Sequence, residues 1–215
     1  MARQHLLDPG VARRSVMAAV RELDGVGVRD ALLECLLAHG VDVAVAEVVM
    51  PVLREVGEGG ERGEMGVLHE HFVSSSFRGV LGEMRGPLPG QVSRTVVLAC
   101  PPGELHDLPL ELFGAMLHAR SWRVVSLGAN TPMTAVADAV RILDADACVL
   151  AGVRRSVFES RMPSLTRLGR CAPVFLAGQG AVRLPEPPPM TVVLPPDLRA
   201  AADLVDEVAR ESAAG

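Results

Sequence analysis

The sequence lacks several features that would place it in common functional classes. Among 215 residues it has no tyrosine, one tryptophan and five phenylalanines, too few aromatic rings for a surface that stacks on nucleic-acid bases. It has no lysine, its arginines are scattered, and its net charge is −5, which argues against a general nucleic-acid surface. It also lacks an apolar run long enough to cross a bilayer. The composition therefore favours a globular protein that binds neither nucleic acid nor membrane.

The four cysteines form no metal-binding or redox motif. Cys35, Cys100, Cys148 and Cys171 are widely spaced and include no C-x-x-C pair. Cys100 and Cys148 lie in predicted buried strands, where a reduced cysteine behaves as a small apolar residue. Residues 1–5 lack the apolar core of a signal peptide. We therefore expect a cytoplasmic protein whose cysteines are structural.

The first part of the chain, residues 1–84, has the periodicity of a helix bundle. His39-Gly40 is typical of a helix end. Asp42 is expected to cap a third helix, which Pro51 should bend or break and which should end at Gly57–Gly60. A fourth helix, from about residue 64 to 83, is expected to bury the apolar side chains of Val67, Leu68, Phe72, Val73, Phe77 and Leu81.

After a predicted linker at residues 85–92, the pattern changes to short apolar runs that alternate with helical stretches. This alternation predicts an α/β domain over residues 93–215, a Rossmann-like, doubly wound parallel sheet with helices on both faces. The predicted strands are Thr95–Cys100, Arg123–Leu127, Ala147–Ala151, Val174–Ala177 and Thr191–Leu194, and the main helices are Leu110–Arg120, Met133–Leu143 and Asp197–Ala209.

The most informative motif, Gly103-Glu104-Leu105-His106, directly follows the first predicted strand. Open α/β sheets place their ligands outside the carboxyl ends of parallel strands. An imidazole presented there can bind a metal while a neighbouring carboxylate orients its other nitrogen. On the motif alone, an ordinary strand-to-helix turn with a surface histidine is the alternative. Glycines at Gly128, Gly152 and Gly178–Gly180 follow other strands at the same edge, where they let a ligand approach the backbone or simply satisfy the turns.

A helix bundle followed by a Rossmann-like domain with G-E-x-H at 103–106 resembles the cobalamin-binding module of light-sensing proteins. The family includes the C-terminal halves of MerR-type photoreceptor repressors of carotenoid genes, and the resemblance covers about residues 44–209. It implies that His106 coordinates cobalt from the lower face, with the cofactor's dimethylbenzimidazole displaced into a channel of the sheet domain. It implies further cofactor contacts along the corrin edge and the nucleotide-tail channel, from Gly103, Glu104, Asp107, Ser126, Leu127, Gly128, Gly152, Val153, Ala177, Gly178, Gln179 and Gly180.

A second match lies in the bundle. Light-sensing members carry a tryptophan followed, after nine residues, by Glu-His over the upper face; here Glu70-His71 matches, and Gly60 stands at the tryptophan position. The missing indole leaves room for a different upper ligand or for a planar molecule beside the corrin. The second option resembles the stand-alone photocobilins, which hold a bilin such as biliverdin next to cobalamin. The arginines at 62, 78 and 85 are then candidates to bind its propionates.

The resemblance implies a light-responsive, non-enzymatic signal-transduction module. Photolysis of the cobalt–carbon bond of adenosylcobalamin would free the upper position for water or His71 and change the conformation or oligomeric state. Because the sequence before residue 44 has no basic recognition helix, we expect a stand-alone module that acts through self-association or a protein partner.

Two alternatives remain on the sequence. One is a corrinoid carrier for methyl transfer or the cobalamin subunit of a mutase. Those proteins usually carry Asp-x-His-x-x-Gly, where this chain has Glu104 and Pro109 at the Asp and Gly positions. Another is a regulator that has lost cobalamin. A zinc pair at His69 and His71 is rejected, because residues two apart on a helix point in nearly opposite directions.

Overall fold

The computed structural model describes residues 8–85 and 94–214, without the side chains of residues 85 and 211–214. The chain divides into two compact units, residues 1–86 and 87–215. The predicted N-terminal start (1–5), nearly all of the predicted linker and the side chain of Arg85 lie outside the described residues.

The first unit is helical. Its first two helices begin at aspartates whose carboxylates accept main-chain N–H groups, Asp8 from Gly10 at 2.9 Å and Asp24 from Gly27 at 3.0 Å, as N-cap residues do. The second helix ends at His39 with Gly40 at φ +80°, as predicted. The helices are α1 Pro9–Glu22, α2 Gly25–His39, α3 Val41–Val43, a π-helix Ala44–Val49, α4 Met50–Glu61 and α5 Val67–Arg85.

Pro51 changes the winding of its helix and does not break it. Residues 41–61 are helical throughout, and the π-helix stands directly before α4. Proline has no N–H to donate and its ring collides with the carbonyl four residues earlier, so we attribute the wider π turn to that collision. Two predicted ends of this helix were wrong: Gly40, not Asp42, is the N-cap, and Gly57–Gly60 lies inside α4, which ends at Glu61.

The buried face of α5 differs from the predicted one. Val73, Phe77 and Leu81 are buried as predicted, but Val67 and Leu68 are 67% and 60% exposed. At about 100° per residue these two lie well off the stripe through Val73 and Phe77. The prediction for Val67 and Leu68 was therefore wrong.

The second unit is the predicted α/β sheet. The five strands among its described residues are all parallel and lie in the order β2-β1-β3-β4-β5. The order reverses between β1 and β3, and open sheets bind ligands at such switch points. The strands are β1 Arg94–Ala99, β2 Trp122–Ser126, β3 Ala147–Ala151, β4 Val174–Ala177 and β5 Thr191–Val193. The helices are α6 Leu108–Ala119, α7 Met133–Leu143, α8 Ser156–Glu159, α9 Met162–Leu168, α10 Gln179–Val182 and α11 Leu198–Ala214.

Both faces of the central strands are covered. Val97 and Ala99 belong to a core with side chains of α7 and α9, and Val96 and Leu98, which point to the opposite face, have no exposed surface. Such strands read as continuous apolar runs, which is why the sequence located them. No described helix is both long and apolar enough to span a membrane.

Asp206 of helix α11 forms hydrogen bonds with side chains of the sheet. Its carboxylate accepts from Trp122 Nε1 at 2.7 Å and from an Arg94 guanidinium nitrogen at 2.9 Å. The Arg94 guanidinium also lies over the Trp122 ring, 4.4 Å from its centroid, a cation–π arrangement. The side chains of Arg94 and Asp206 are only 20% and 14% exposed, so this ion pair is little screened by water.

Candidate functional site

The candidate site is the loop between β1 and α6, at the carboxyl edge of the sheet. Its turn depends on Gly103, whose φ of +83° lies in the left-handed region that favours glycine. His106 follows, with 72% of its side chain exposed, and α6 begins at Leu108. The fold therefore presents an imidazole to solvent beside the switch point of the sheet.

Glu104 and His106 form the central pair of the site. Glu104 is only 2% exposed, and its Oε1 lies 2.6 Å from His106 Nδ1 and accepts the His106 main-chain N–H at 3.0 Å. Its Oε2 accepts the main-chain N–H of Val153, after β3, at 2.7 Å. An ionised carboxylate only accepts hydrogen bonds, so Nδ1 carries a proton, and in the neutral imidazole Nε2 then has the lone pair. Within the described chain no hydrogen bond occupies Nε2, the nitrogen that would bind a metal.

The carboxylate stays charged although it is buried. Burial by itself raises the pKa of Glu104, but the hydrogen bonds from Val153 and His106 favour the anion and the net pKa is lowered. Behind it, burial first and then the charges of Asp107, Glu104 and Glu111 raise the pKa of the Cys100 thiol to about 12. Cys100 is therefore a neutral thiol, whereas metal binding requires the thiolate.

These residues suit a metal that brings most of its own ligands. Among the described residues, no group of three or more His, Cys, Asp or Glu side chains could hold a metal ion. A structural zinc site needs about four such ligands, which the described part of this site does not offer, whereas a single exposed imidazole such as His106 could contact a metal that a cofactor already holds. His69 and His71 form no metal pair: His69 Nδ1 instead accepts the Gly66 N–H at 3.2 Å and caps α5.

The predicted residues after β2 meet those after β1. The Ser126 hydroxyl donates to Glu111 Oε1 on α6. Gly128 has φ +76°, and a methyl group built on it would lie 3.8 Å from Asp107 Oδ2. The structure thus brings Ser126–Gly128 next to Asp107.

The predicted glycines after β3 and β4 also come together, through their backbones. The Gly180 N–H donates to the Gly152 carbonyl at 2.9 Å, and a methyl group on Gly178 would lie 2.6 Å from that same oxygen. The Gly152 N–H donates to the Ala177 carbonyl at 3.0 Å. Close approach of the two loops is therefore a sufficient structural reason for these glycines, whether or not they contact a ligand.

In the first unit, Glu70 occupies the space beside Gly60. A methyl group built on Gly60 would lie 2.6 Å from Glu70 Oε1, so part of the volume expected for the missing indole holds this carboxylate. Arg62, a predicted bilin anchor, is paired with Glu64 at 2.9 Å. His71 is exposed on α5.

Sequence reasoning missed three side chains at the second unit's site. Thr131 is 6% exposed and its hydroxyl donates to the carbonyls of Leu127 and Gly128, both at 3.1 Å. Asn130 and Arg154 both bond to the backbone of Gly103. The signal for Asn130 was available, because asparagine in a glycine-containing loop tolerates the left-handed conformation, and its φ is +53°.

Comparisons with known proteins bear on the cofactor, the relatives and the fold of this chain. The family of the B12 binding domain matches residues 12–84, and this match supports cobalamin binding. The chain is 36% identical over 175 residues to the HTH-type transcriptional repressor CarH of Myxococcus xanthus, and 30% identical over 173 residues to the repressor CarA of the same organism. Each alignment covers 79% of this chain and 58% of the relative, so the chain spans a little over half of their length.

One solved structure is similar to this chain in its fold. The Methanosarcina barkeri monomethylamine corrinoid protein matches with a TM-score of 0.71 and 14% identity, over 96% of this chain and 100% of that protein. Residues 12–84 are thus similar to B12 binding domains, in a chain that is similar over most of its length to two transcriptional repressors and has the fold of a corrinoid protein.

Proposed function

We propose that this chain is a light-responsive, cobalamin-binding regulatory module in which His106 is the lower ligand of cobalt. The observation that carries the proposal is the exposed imidazole of His106, held by the buried carboxylate of Glu104 at 2.6 Å. The match of residues 12–84 to the B12 binding domain supports the choice of cofactor. The similarity to CarH and CarA supports a regulatory role.

Glu104 performs two tasks in this proposal. By accepting a hydrogen bond from Nδ1–H it fixes the tautomer of His106 that leaves Nε2 as a ligand, and it makes that nitrogen a better electron donor. By accepting the Val153 N–H it holds the ring at a fixed place on the sheet edge. Both tasks require the ionised carboxylate that the hydrogen bonds maintain.

When bound, adenosylcobalamin supplies a cobalt–carbon bond that visible light breaks. We assign Glu70 and His71 of α5 to the upper face of the cofactor. Val67 and Leu68, exposed at the start of the same helix, offer apolar surface next to them. A light-driven change in what these residues contact would bias the protein between two states, as a switch requires. The output is self-association or binding of a protein partner.

A bilin beside cobalamin is a finer proposal, carried by the glycine at position 60. Because the Glu70 carboxylate lies against Gly60, a bilin in this place requires the Glu70 side chain to turn away. Expression with a source of biliverdin, followed by absorbance and mass spectrometry of the purified protein, tests it. Absence of a bound tetrapyrrole under these conditions would remove the bilin and leave cobalamin unaffected.

The main proposal is tested by loading the protein with adenosylcobalamin in the dark and passing it through a desalting column. We expect a coloured protein whose spectrum and oligomeric state change on illumination. His106→Ala should lose the spectral signature of the protein ligand, whereas His118→Ala, a substitution on α6, should keep it. A colourless eluate refutes cobalamin binding, and a coloured protein that does not respond to light refutes the sensor.

A corrinoid carrier for methyl transfer is the alternative function, and the fold that the chain shares with the monomethylamine corrinoid protein is what favours it. A carrier would exchange a methyl group between methylcobalamin and a thiol acceptor when a partner methyltransferase is added. Light-dependent change of oligomeric state without such exchange would favour the sensor.

A further inference from the structure

We propose that Asn130 and Arg154 are positioning residues that clamp the Gly103-Glu104 backbone and thereby set how firmly His106 binds cobalt. The inference rests on the proposed function, because it concerns the ligand that His106 would supply. It adds two side chains, from the loops after β2 and β3, to a motif that lies wholly after β1.

Asn130 holds the dipeptide from the side of β2. Its side-chain oxygen accepts the Gly103 N–H at 2.8 Å, and its own main-chain N–H donates to the Glu104 carbonyl at 2.9 Å. The residue adopts φ +53°, a left-handed conformation in which asparagine is among the few favoured side chains. Position 130 therefore meets two demands together, a left-handed backbone and a short side-chain acceptor.

Arg154 holds the same dipeptide from the side of β3. Its guanidinium donates to the Gly103 carbonyl at 2.8 Å, and the preceding residue, Val153, donates its N–H to Glu104 Oε2 at 2.7 Å. Among the described residues, no acidic side chain forms an ion pair with Arg154. Its guanidinium is therefore held by the Gly103 carbonyl and not by a carboxylate. Strand β1 pairs with both β2 and β3, so the two clamps reach the loop from opposite sides.

The clamp matters because packing does not fix the position of Gly103. The residue has no side chain, and a methyl group built on it would have no neighbouring atom within 4 Å. Its N–H and carbonyl are bonded to Asn130 and Arg154, and the Glu104 carbonyl to Asn130. Loss of either clamp lets the backbone of Glu104 move and its carboxylate withdraw from His106 Nδ1. Loss of one such hydrogen bond should lower the affinity for cobalamin about threefold to tenfold.

The variants separate the bond from the fold. Asn130→Gly keeps the left-handed backbone and removes the acceptor, whereas Asn130→Asp keeps an acceptor and should rescue. Arg154→Ala removes an exposed side chain. Arg155→Ala is the matched control, because Arg155 is the neighbouring exposed arginine and pairs with Glu159 at 3.4 Å within its own helical turn.

Three measurements report on the clamp: the affinity for cobalamin, the identity of the nitrogen on cobalt, and amide hydrogen exchange. Each protein, labelled with the heavy nitrogen isotope, is loaded with cobalamin reduced to Co(II), and its electron paramagnetic resonance spectrum shows which axial nitrogen belongs to the protein. We expect Asn130→Gly and Arg154→Ala to lower cobalamin affinity about threefold to tenfold and to reduce the fraction with a protein nitrogen on cobalt. Without cofactor, amide hydrogen exchange at Val153 and His106 should be faster in these two variants and unchanged in Arg155→Ala.

The outcomes distinguish the clamp from the proposed function. If wild-type protein binds cobalamin through a protein nitrogen and both variants match it in affinity, spectrum and amide exchange, the clamp is refuted and the proposed function stands. If wild-type protein shows no protein nitrogen on cobalt, the proposed function fails, and with it the effect of the clamp on cobalt. An effect of Arg155→Ala equal to that of Arg154→Ala also refutes the clamp, since it would reflect a general loss of positive charge.

Discussion

Replacing Glu104 by glutamine should weaken both the fold and cobalamin binding, although the two side chains have the same shape. Both carboxylate oxygens of Glu104 accept hydrogen bonds, Oε1 from His106 and Oε2 from Val153. A glutamine offers one acceptor and one NH2 donor, so one of these N–H groups must face a donor in Glu104→Gln.

The magnitude follows from how buried the acceptor is. A hydrogen bond to a charged group contributes about 1.5–3 kcal/mol, and an unsatisfied buried polar group costs about 1–3 kcal/mol. Because the His106 ring is 72% exposed, water can replace part of the hydrogen bonding that the ring loses. We therefore expect Glu104→Gln to lower the free energy of unfolding by about 1–3 kcal/mol. As a control, Glu159→Gln breaks an exposed ion pair, with Arg155 at 3.4 Å. This substitution should change the free energy of unfolding by less than about 0.5 kcal/mol.

The effect on the ligand depends on which way the amide turns. With its NH2 toward His106, the glutamine stabilises the tautomer whose Nδ1 has the lone pair and whose Nε2 carries the proton, and that tautomer cannot bind cobalt. We therefore expect weaker cobalamin binding and partial loss of the protein nitrogen on cobalt in Glu104→Gln.

The dependence on pH has a definite sign. The pKa of Glu104 is lowered on folding from its ordinary value of 4.5, so its contribution is present above that pH and is lost as the pH falls through the lower folded value. The difference in unfolding free energy between wild type and Glu104→Gln, from urea denaturation with equal slopes, should thus shrink below about pH 4.5. If the difference is absent at neutral pH, or grows on acidification, the buried carboxylate of Glu104 does not have the stabilising role assigned to it.

Four further substitutions test other parts of the structure. Asp206→Ala removes the carboxylate that accepts the buried Trp122 indole N–H and pairs with the Arg94 guanidinium. It should lower the free energy of unfolding by about 2–4 kcal/mol, measured in urea by the fluorescence of Trp122; an unchanged midpoint would contradict the role of this carboxylate. Gly180→Ala places a methyl group 2.7 Å from main-chain atoms and should lower the free energy of unfolding by about 1–3 kcal/mol. Gly57→Ala, whose methyl group meets nothing within 4 Å, should raise the free energy of unfolding by about 0.5–1 kcal/mol. Similar thermal midpoints for the two variants would contradict the close packing at Gly180. Gly60→Trp should abolish any bilin binding while cobalamin still binds, as absorbance would report, and a retained bilin would exclude this location.

The strands could be predicted from the sequence because burial on both faces of a parallel sheet makes each one a continuous apolar run. Predicted and observed strands differ by at most one residue at either end. The short helices α8 and α10 were missed, since four residues carry no helical period. They form where the loops after β3 and β4 pack together, and α10 begins directly after Gly178, with φ +87°.

The bundle was predicted as a class but not in its details. The run of glycines in α4 was a poor guide to the helix end, since a helix tolerates glycine at a modest cost. The end is instead fixed by the following turn, where Glu64 and Met65 donate to the Gly59 carbonyl at 2.9 and 3.1 Å and the buried Met65 packs on Gly59. Such a contact depends on how the chain folds back and leaves no local pattern.

Local patterns in the chain were enough to predict a helix bundle followed by a parallel sheet, with a carboxylate and an imidazole two residues apart at the end of a strand. That Glu104 is buried and charged depends on long-range folding, because the N–H that completes its hydrogen bonds belongs to Val153, 49 residues away. Asn130 and Arg154 lie 27 and 51 residues from Gly103. The pairing of β1 with both neighbours brings these residues to one loop, and a pairing between distant strands is not written in any local period of the chain.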